Sequence, residues 1–251
     1  MTREARTGAE ASHTSREVRY GNPAADRSAR VRRARRSRDR GPITPSTAVA
    51  PVTSVSTARA SRVTYVGELG WELYVPAEFA AGVYDALVEA GQGLGLAHAG
   101  YHAMDSLRIE KAYRSWGHDI GSEDTPLQAG LGFAVRLDKA AAFIGREALL
   151  ALRDRPLSRR LLVFTLEDPQ PLLYHDEPIW RDGALVGSIS SGAYGHTLGR
   201  AVGLGYAAHP DGVTEAFIAS GRWELEVAGE RLPARAQLTP PYDPKSIRVR
   251  G

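Results

Sequence analysis

RRLLVFTLE, residues 159–167, opens the part of the sequence that decides the fold. After it come EPIWR (177–181), ALVGSISSG (184–192), AVGLGYA (201–207), RWELEVAG (222–229) and ERLPARAQL (230–238). Each segment is short and rich in β-branched, aromatic or alternating apolar residues. Turn-forming residues punctuate them: Asp168-Pro169, Asp182-Gly183, Pro210-Asp211-Gly212 and Ala228-Gly229-Glu230. Short strands joined by such turns predict a small antiparallel barrel or sandwich over residues 155–251.

Upstream the texture is mixed. VTYV (63–66) and WELYV (71–75) alternate around GELG and predict a β-hairpin whose glycines supply positive φ. Trp71, Leu73 and Val75 then share one face, and Glu72 and Tyr74 the other. Phe79, Val83 and Leu87 recur every four residues, which predicts a helix over 77–90 capped by Gly91. AGYHAMDSLRIEKAYRSWG (99–117) predicts a second helix ending at Gly117. Ala103, Met104 and Leu107 form its apolar stripe, while Asp105 with Arg108, and Glu110 with Arg114, fall on exposed faces. LQAGLGFAVRLDK (127–139) predicts a half-buried strand through Phe133, Val135 and Leu137, and GREALLALRD (145–154) a short helix. An α+β unit over 62–154 thus precedes the all-β unit.

Residues 1–61 are of another kind. Residues 1–62 hold fourteen Arg against five acidic residues, a net of +9; residues 63–251 hold 18 basic against 24 acidic, a net of −6. The basic segment has few large apolar residues, so it cannot bury enough surface to offset its ordering entropy and is expected to be a disordered tail. Seven Arg between Arg30 and Arg40 would release counterions from phosphates. With no aromatic interleaved and no nucleic-acid fold following, a solvated extension is the preferred reading.

Several chemistries are excluded by pattern. The chain has no Cys, hence no disulfide frame, zinc ribbon or thiol nucleophile. Its seven His are scattered singly, so no metal site is expected. No G-x-x-x-x-G-K-[ST] run is present, GLGLAHAG lacks the dinucleotide spacing, and Gly187–Gly192 has the wrong spacing for G-x-S-x-G. No FAD or NAD site is therefore expected. No apolar run approaches the ~18 residues needed to cross a bilayer, and no apolar leader stands at the amino terminus, so a cytoplasmic location is the default expectation. What remains is Glu72 between Trp71 and Tyr74. A carboxylate against aromatic rings can accept two hydrogen bonds from a flat amino-pyrimidine edge; as a solvent-facing strand residue it needs no function at all.

Three runs go further: SRVTYVGELGWELYVP, GLAHAGYHAMDSLRIEKAYRSWGHDIGSEDTPLQAGLGFAV and DKAAAFIGREAL. In this order they resemble the carboxyl-terminal region of dimethylglycine and sarcosine dehydrogenases, which is similar to the T-protein, or aminomethyltransferase, of the glycine cleavage system. The likeness continues through EPIW, VGSISSGAYGHTLGRAVGLGY and PPYDP. It implies an α+β fold: a T-protein-like folate-binding domain, truncated at its N-terminal side, followed by a small antiparallel β-barrel domain and preceded by the tail. It also implies tetrahydrofolate as cofactor, a one-carbon unit derived from a methylated amine, carried as an iminium or aminomethyl group, and 5,10-methylenetetrahydrofolate as product.

By the resemblance Glu72 hydrogen-bonds the pterin ring, with Tyr74 beside it, and Tyr65 walls the cavity or serves packing. Met104 stands where the T-protein has a folate-site arginine. Arg108 and Glu110 match the helix's LR-E pattern, first as an ion-pair network and second as ligands. The family's catalytic aspartate falls in a stretch replaced here by the Arg-rich tail, so neither Asp26 nor Asp39 takes that role and the catalytic residue is unassigned. Two readings follow: a folate-dependent one-carbon transfer region acting with a separate flavin-containing subunit, and a non-catalytic remnant serving as a binding module. A nucleic-acid-binding tail is a distant third.

Overall fold

The structure, a computed structural model, describes residues 17–20, as backbone, and 56–250. Most of the predicted tail lies outside these residues. The described chain forms two compact units: one of residues up to Gly100 together with 246–250, the other Tyr101–Lys245.

The first unit holds a three-stranded antiparallel sheet of β1 (Glu17–Tyr20), β2 (Ser56–Ser61) and β3 (Glu72–Tyr74), with β2 in the middle. This corrects the hairpin expected between VTYV and WELYV. Residues 63–66 form no strand; β3 pairs instead with β2, Arg59 opposite Tyr74 and Ser61 opposite Glu72. The cause is local. The Thr64 hydroxyl accepts the Val66 and Gly67 N–H groups at 3.4 and 3.1 Å, which folds the chain into a turn completed by Gly67 at φ 76°. Order also begins earlier than the expected 62: in STARAS, Ala58 and Ala60 alternate inward and are buried. The predicted helix is present as one 3-10 turn, Ala77–Phe79, and α1 (Ala80–Gly91). Gly91 packs against Leu96, and the left-handed cap falls at Gly95.

The second unit starts with α2 (Tyr101–Glu110), which stops seven residues short of the expected Gly117. The Ala112 N–H bonds to Ile109 O and the Tyr113 N–H to Arg108 O, with Ala112 at φ 55°. This is a Schellman stop formed without glycine. The expected strand through Phe133 is also absent: Gly132–Ala134 is a 3-10 turn and Phe133 is exposed. Here Leu131 N–H bonds back to Pro126 O and Ala134 N–H to Leu131 O, so the backbone satisfies itself locally and offers no ladder. The short helix follows as α3 (Arg146–Arg153).

The six remaining strands match the sequence reading closely: β4 (Arg159–Leu166), β5 (Pro178–Arg181), β6 (Ala184–Gly195), β7 (Arg200–Ala208), β8 (Trp223–Val227) and β9 (Glu230–Gln237). They close into an antiparallel barrel of order β4-β7-β6-β5-β8-β9, the seam being β4 against β9. α4 (Glu215–Ser220) lies between β7 and β8, and α5 (Ile247–Arg250) belongs to the first unit.

β4 shows why the run LLVFTL is apolar without interruption. Leu162, Phe164 and Leu166 belong to the barrel core with Ile179, Ile189 and Leu225. Leu161 and Val163 form a second cluster with Val202, Leu204 and Tyr206 of β7 and Ile109 of α2. Both faces of β4 are thus covered, and each fully buried Leu or Phe contributes roughly 1.5–3 kcal/mol. The helix that covers the outer face presents its charged residues as well as its apolar ones to the barrel.

Candidate functional site

The five sequence-predicted residues fall in different units: Tyr65, Glu72 and Tyr74 in the first, Met104 and Arg108 in the second. On β3 the two-residue period brings Glu72 and Tyr74 together, and the Tyr74 hydroxyl donates to Glu72 Oε2 at 2.8 Å. That hydrogen bond, with the adjacent negative charge, raises the Tyr74 pKa. The Arg59 guanidinium stands 4.3 Å from the Tyr74 ring centre. The result is a half-buried carboxylate and an exposed ring on one strand. Tyr65 is half-buried in the turn beyond β2, and Met104 half-buried on α2.

Arg108 is buried, at 4 % side-chain exposure, and corrects the expectation of an exposed helix face. Its Nη1 donates to Asp119 Oδ2 at 2.6 Å and to Tyr113 O, its Nη2 to Ser191 Oγ at 3.0 Å, and its Nε to Asp105 Oδ1 at 3.1 Å. Asp119 also accepts the Ser115 N–H and the Ser190 hydroxyl. Glu110 is wholly buried; one carboxylate oxygen accepts the Thr197 and Leu198 N–H groups at 2.7 and 3.0 Å, and the other makes no hydrogen bond. Lys111 donates to Asp243 Oδ2 at 2.9 Å. Arg108 and Glu110 therefore fasten α2 to the barrel through Ser191 and the Thr197–Leu198 turn, and Lys111, just past the helix, is tied to the segment after β9. The guanidinium's donors are taken up within the protein, the geometry of an ion-pair network.

Sequence reasoning missed Asp119, Ser190 and Ser191. A signal existed: two consecutive Ser in a strand bounded by glycines suggest a bulge. The β6–β7 register does shift between Ile189 and Ser191, and both hydroxyls reach the same ion pair. Next to this pair opens a cleft of ≈ 530 Å³, lined by His118, Asp124, Arg159, His175, Ser188 and Tyr206 among others. Arg159 pairs with Asp124 and lies 3.5 Å from the Tyr206 ring centre. Burial opposes ionisation of Asp124, but the Arg159 bond, the Gly121 N–H and the Arg159 charge outweigh it and hold the carboxyl below its ordinary value. Burial, with the Asp124 charge, pushes the Tyr206 phenol up to about 12. No group of His, Asp or Glu among the described residues is arranged to hold a metal ion.

Residues 46–139 match the GCVT N-terminal domain, and residues 159–243, the span of the barrel, match the glycine cleavage T-protein C-terminal barrel domain. The chain belongs to the glycine cleavage T-protein family. This T-protein region is 50 % identical over 190 residues to a 4-methylaminobutanoate oxidase (formaldehyde-forming) of Paenarthrobacter nicotinovorans, covering 76 % of this chain and 22 % of the oxidase. It is 44 % identical over 195 residues to human mitochondrial sarcosine dehydrogenase, covering 77 % of this chain and 21 % of the dehydrogenase. The chain spans about a fifth of the length of these relatives. Among solved structures, the aminomethyltransferase T of Bartonella henselae shares the fold, with TM-score 0.63 and 24 % identity over 77 % of this chain and 50 % of that one. The T-protein fold expected from sequence, with its antiparallel barrel, is thus present. No helix among the described residues is long and apolar enough to cross a membrane.

Proposed function

We propose that the chain is a tetrahydrofolate-binding, one-carbon-transfer region of dehydrogenase or aminomethyltransferase type, yielding 5,10-methylenetetrahydrofolate. In this reading the folate-binding part runs from about 62 to 154 and the barrel domain from about 155 to the end. A separate flavin-containing subunit supplies the oxidised methylamine. The carrying observation is the Glu72–Tyr74 pair, a strand carboxylate held by a phenol beside an exposed ring.

The donor set fits the cofactor. Glu72 accepts the N–H groups of a flat amino-pyrimidine edge, and Tyr74 fixes the carboxylate in orientation while offering ring surface. Tyr65, half-buried in the same unit, provides further wall. Bound tetrahydrofolate would supply the nitrogen that takes up the one-carbon unit; the protein supplies placement and shielding from water.

The test is titration of the full chain with tetrahydrofolate, followed by Trp fluorescence, Trp71 being next to Glu72. Loss of a charge-assisted hydrogen bond of about 1.5–3 kcal/mol predicts that Glu72→Gln weakens binding roughly ten- to hundredfold. A saturable change unaltered in Glu72→Gln removes Glu72 from the site. No saturable change, with or without a flavin subunit, sinks the reading. The competing reading, a non-catalytic binding module, draws on Arg108 and Glu110, whose charges are engaged in docking α2 to the barrel.

A further inference from the structure

Apart from the cleft beside Arg108, a second one of ≈ 470 Å³ opens along the barrel seam. The strand register builds it. Thr165 of β4 lies opposite Arg235 of β9, and Val163 opposite Gln237. On its other side Thr165 lies opposite Val202 of β7, two residues from Arg200. Residues opposite one another, or two apart on one strand, share a face, so Arg200, Thr165, Arg235 and Gln237 stand on one side of three adjacent strands. Part of this face is apolar, with Val163 and Val202 in the cluster that includes Ile109 of α2. Beyond that cluster it is polar and open.

Pro240, Pro241 and Pro244 form a wall beside the polar part. Their segment is held: the Tyr242 N–H donates to Glu110 O at 3.3 Å, and Asp243 accepts from Lys111. Prolines have a fixed φ and no N–H, so the wall gives shape and the strands give the donors. The lining has two arginines and no carboxylate, a local reversal within residues 63–251, which are net −6. The two guanidiniums also have donors to spare. Arg108 engages all three of its nitrogens at 2.6–3.1 Å. Arg200, half-buried, reaches two backbone carbonyls through Nη1 alone, at 3.5 Å. Arg235 gives Nε to Glu167, which is not part of the lining, at 3.3 Å. A guanidinium carries five donors in a fork that fits an oxyanion. Here two such forks, on strands about 10 Å apart, line one cleft and suit a ligand with two negative charges.

We propose that this cleft binds a small dianionic ligand, a phosphate or a dicarboxylate, held by Arg200 and Arg235 against the proline wall. The site lies wholly within the second unit and does not depend on folate binding, so its test contains no folate. The full chain is titrated by calorimetry with inorganic phosphate in one arm and succinate in the other, at low ionic strength because salt screens exposed charges. The expected result is saturable one-to-one binding in at least one arm, with a Kd of about a millimolar or tighter. The arm that binds more tightly names the ligand's oxyanion. Arg200→Gln and Arg235→Gln each weaken binding about tenfold or more, as loss of a charge-assisted hydrogen bond does. Arg222→Gln, at an exposed arginine outside the cleft, leaves it unchanged. Absence of saturable binding in both arms overturns the proposal, as does binding that Arg235→Gln leaves intact. Equal weakening by Arg222→Gln shows general charge attraction and overturns it too. Arg235 is 73 % exposed, so its variant keeps the test decisive even where Arg200→Gln fails to fold.

Discussion

Arg108→Met removes the cation from the ion-pair network and keeps most of the side chain's stem. In the wild type Asp119 is completely buried, and its carboxylate holds Arg108 Nη1, the Ser115 N–H and the Ser190 hydroxyl. The variant leaves that carboxylate in place without its counter-charge. Removing one member of a buried pair costs about 3–5 kcal/mol. The two hydrogen bonds that remain on Asp119, each worth about 1 kcal/mol, place the cost near the lower end, about 3–4 kcal/mol. With a urea m-value of about 2 kcal/mol/M, the midpoint falls by roughly 1.5–2 M. Urea unfolding followed by Trp fluorescence measures it, since Trp223 sits in the barrel core. Pairing the change with Asp119→Asn removes the stranded charge, so the double variant must be more stable than the sum of the two single losses implies. A midpoint shift under about 0.5 M for Arg108→Met, or strict additivity in the double variant, refutes the view that α2 is held by this pair.

Two other predictions concern the barrel. The Tyr206 phenol binds its proton more tightly folded than unfolded, its pKa rising from 10.0 to about 12. Its contribution to stability is complete below pH ~10 and fades as pH rises toward 12. Tyr206→Phe should therefore lose less stability than wild type across that window, measured as melting temperature against pH; parallel curves would contradict the assignment. Gly187→Ala would place a methyl carbon 1.8 Å from the Tyr206 carbonyl oxygen, where β6 pairs with β7. Backbone cannot yield as a side chain does, so the cost is about 3 kcal/mol. A melting temperature within a degree or so of wild type would show that the strands separate without penalty.

The barrel was legible because its information is local. Short apolar or alternating runs and the Asp182-Gly183 and Ala228-Gly229 turns, each with both residues at positive φ, fix strands and connections together. The hairpin failed for a reason equally local but hidden: Thr64 captures backbone donors, and the true partner of β3 is STARAS, whose small residues resemble the Arg-rich stretch before it. α2 was located, yet its orientation was inverted. Helical periodicity sorts residues by polarity, and here Arg108, Glu110 and Lys111 are buried because Asp119, Ser191, Thr197 and Asp243 await them. No window of sequence around α2 contains those last three. Glu72 and Tyr74 were legible as a pair from the two-residue period alone, and their hydrogen bond follows from it.

The fastening of α2 also sets a schedule for synthesis. Lys111 reaches its partner Asp243 across 132 residues, and the barrel seam needs β9 before β4 is paired on both sides. At ribosomal rates of about 5–20 residues per second, Lys111 is made roughly 7–26 s before Asp243. Arg108 finds Asp119 only 11 residues on and Glu110 finds Thr197 87 residues on, so of the three charges only Lys111, just past the helix, waits out the whole interval. Lys111 is thus the last charge of this run to be met, by a residue of the segment that follows the final strand.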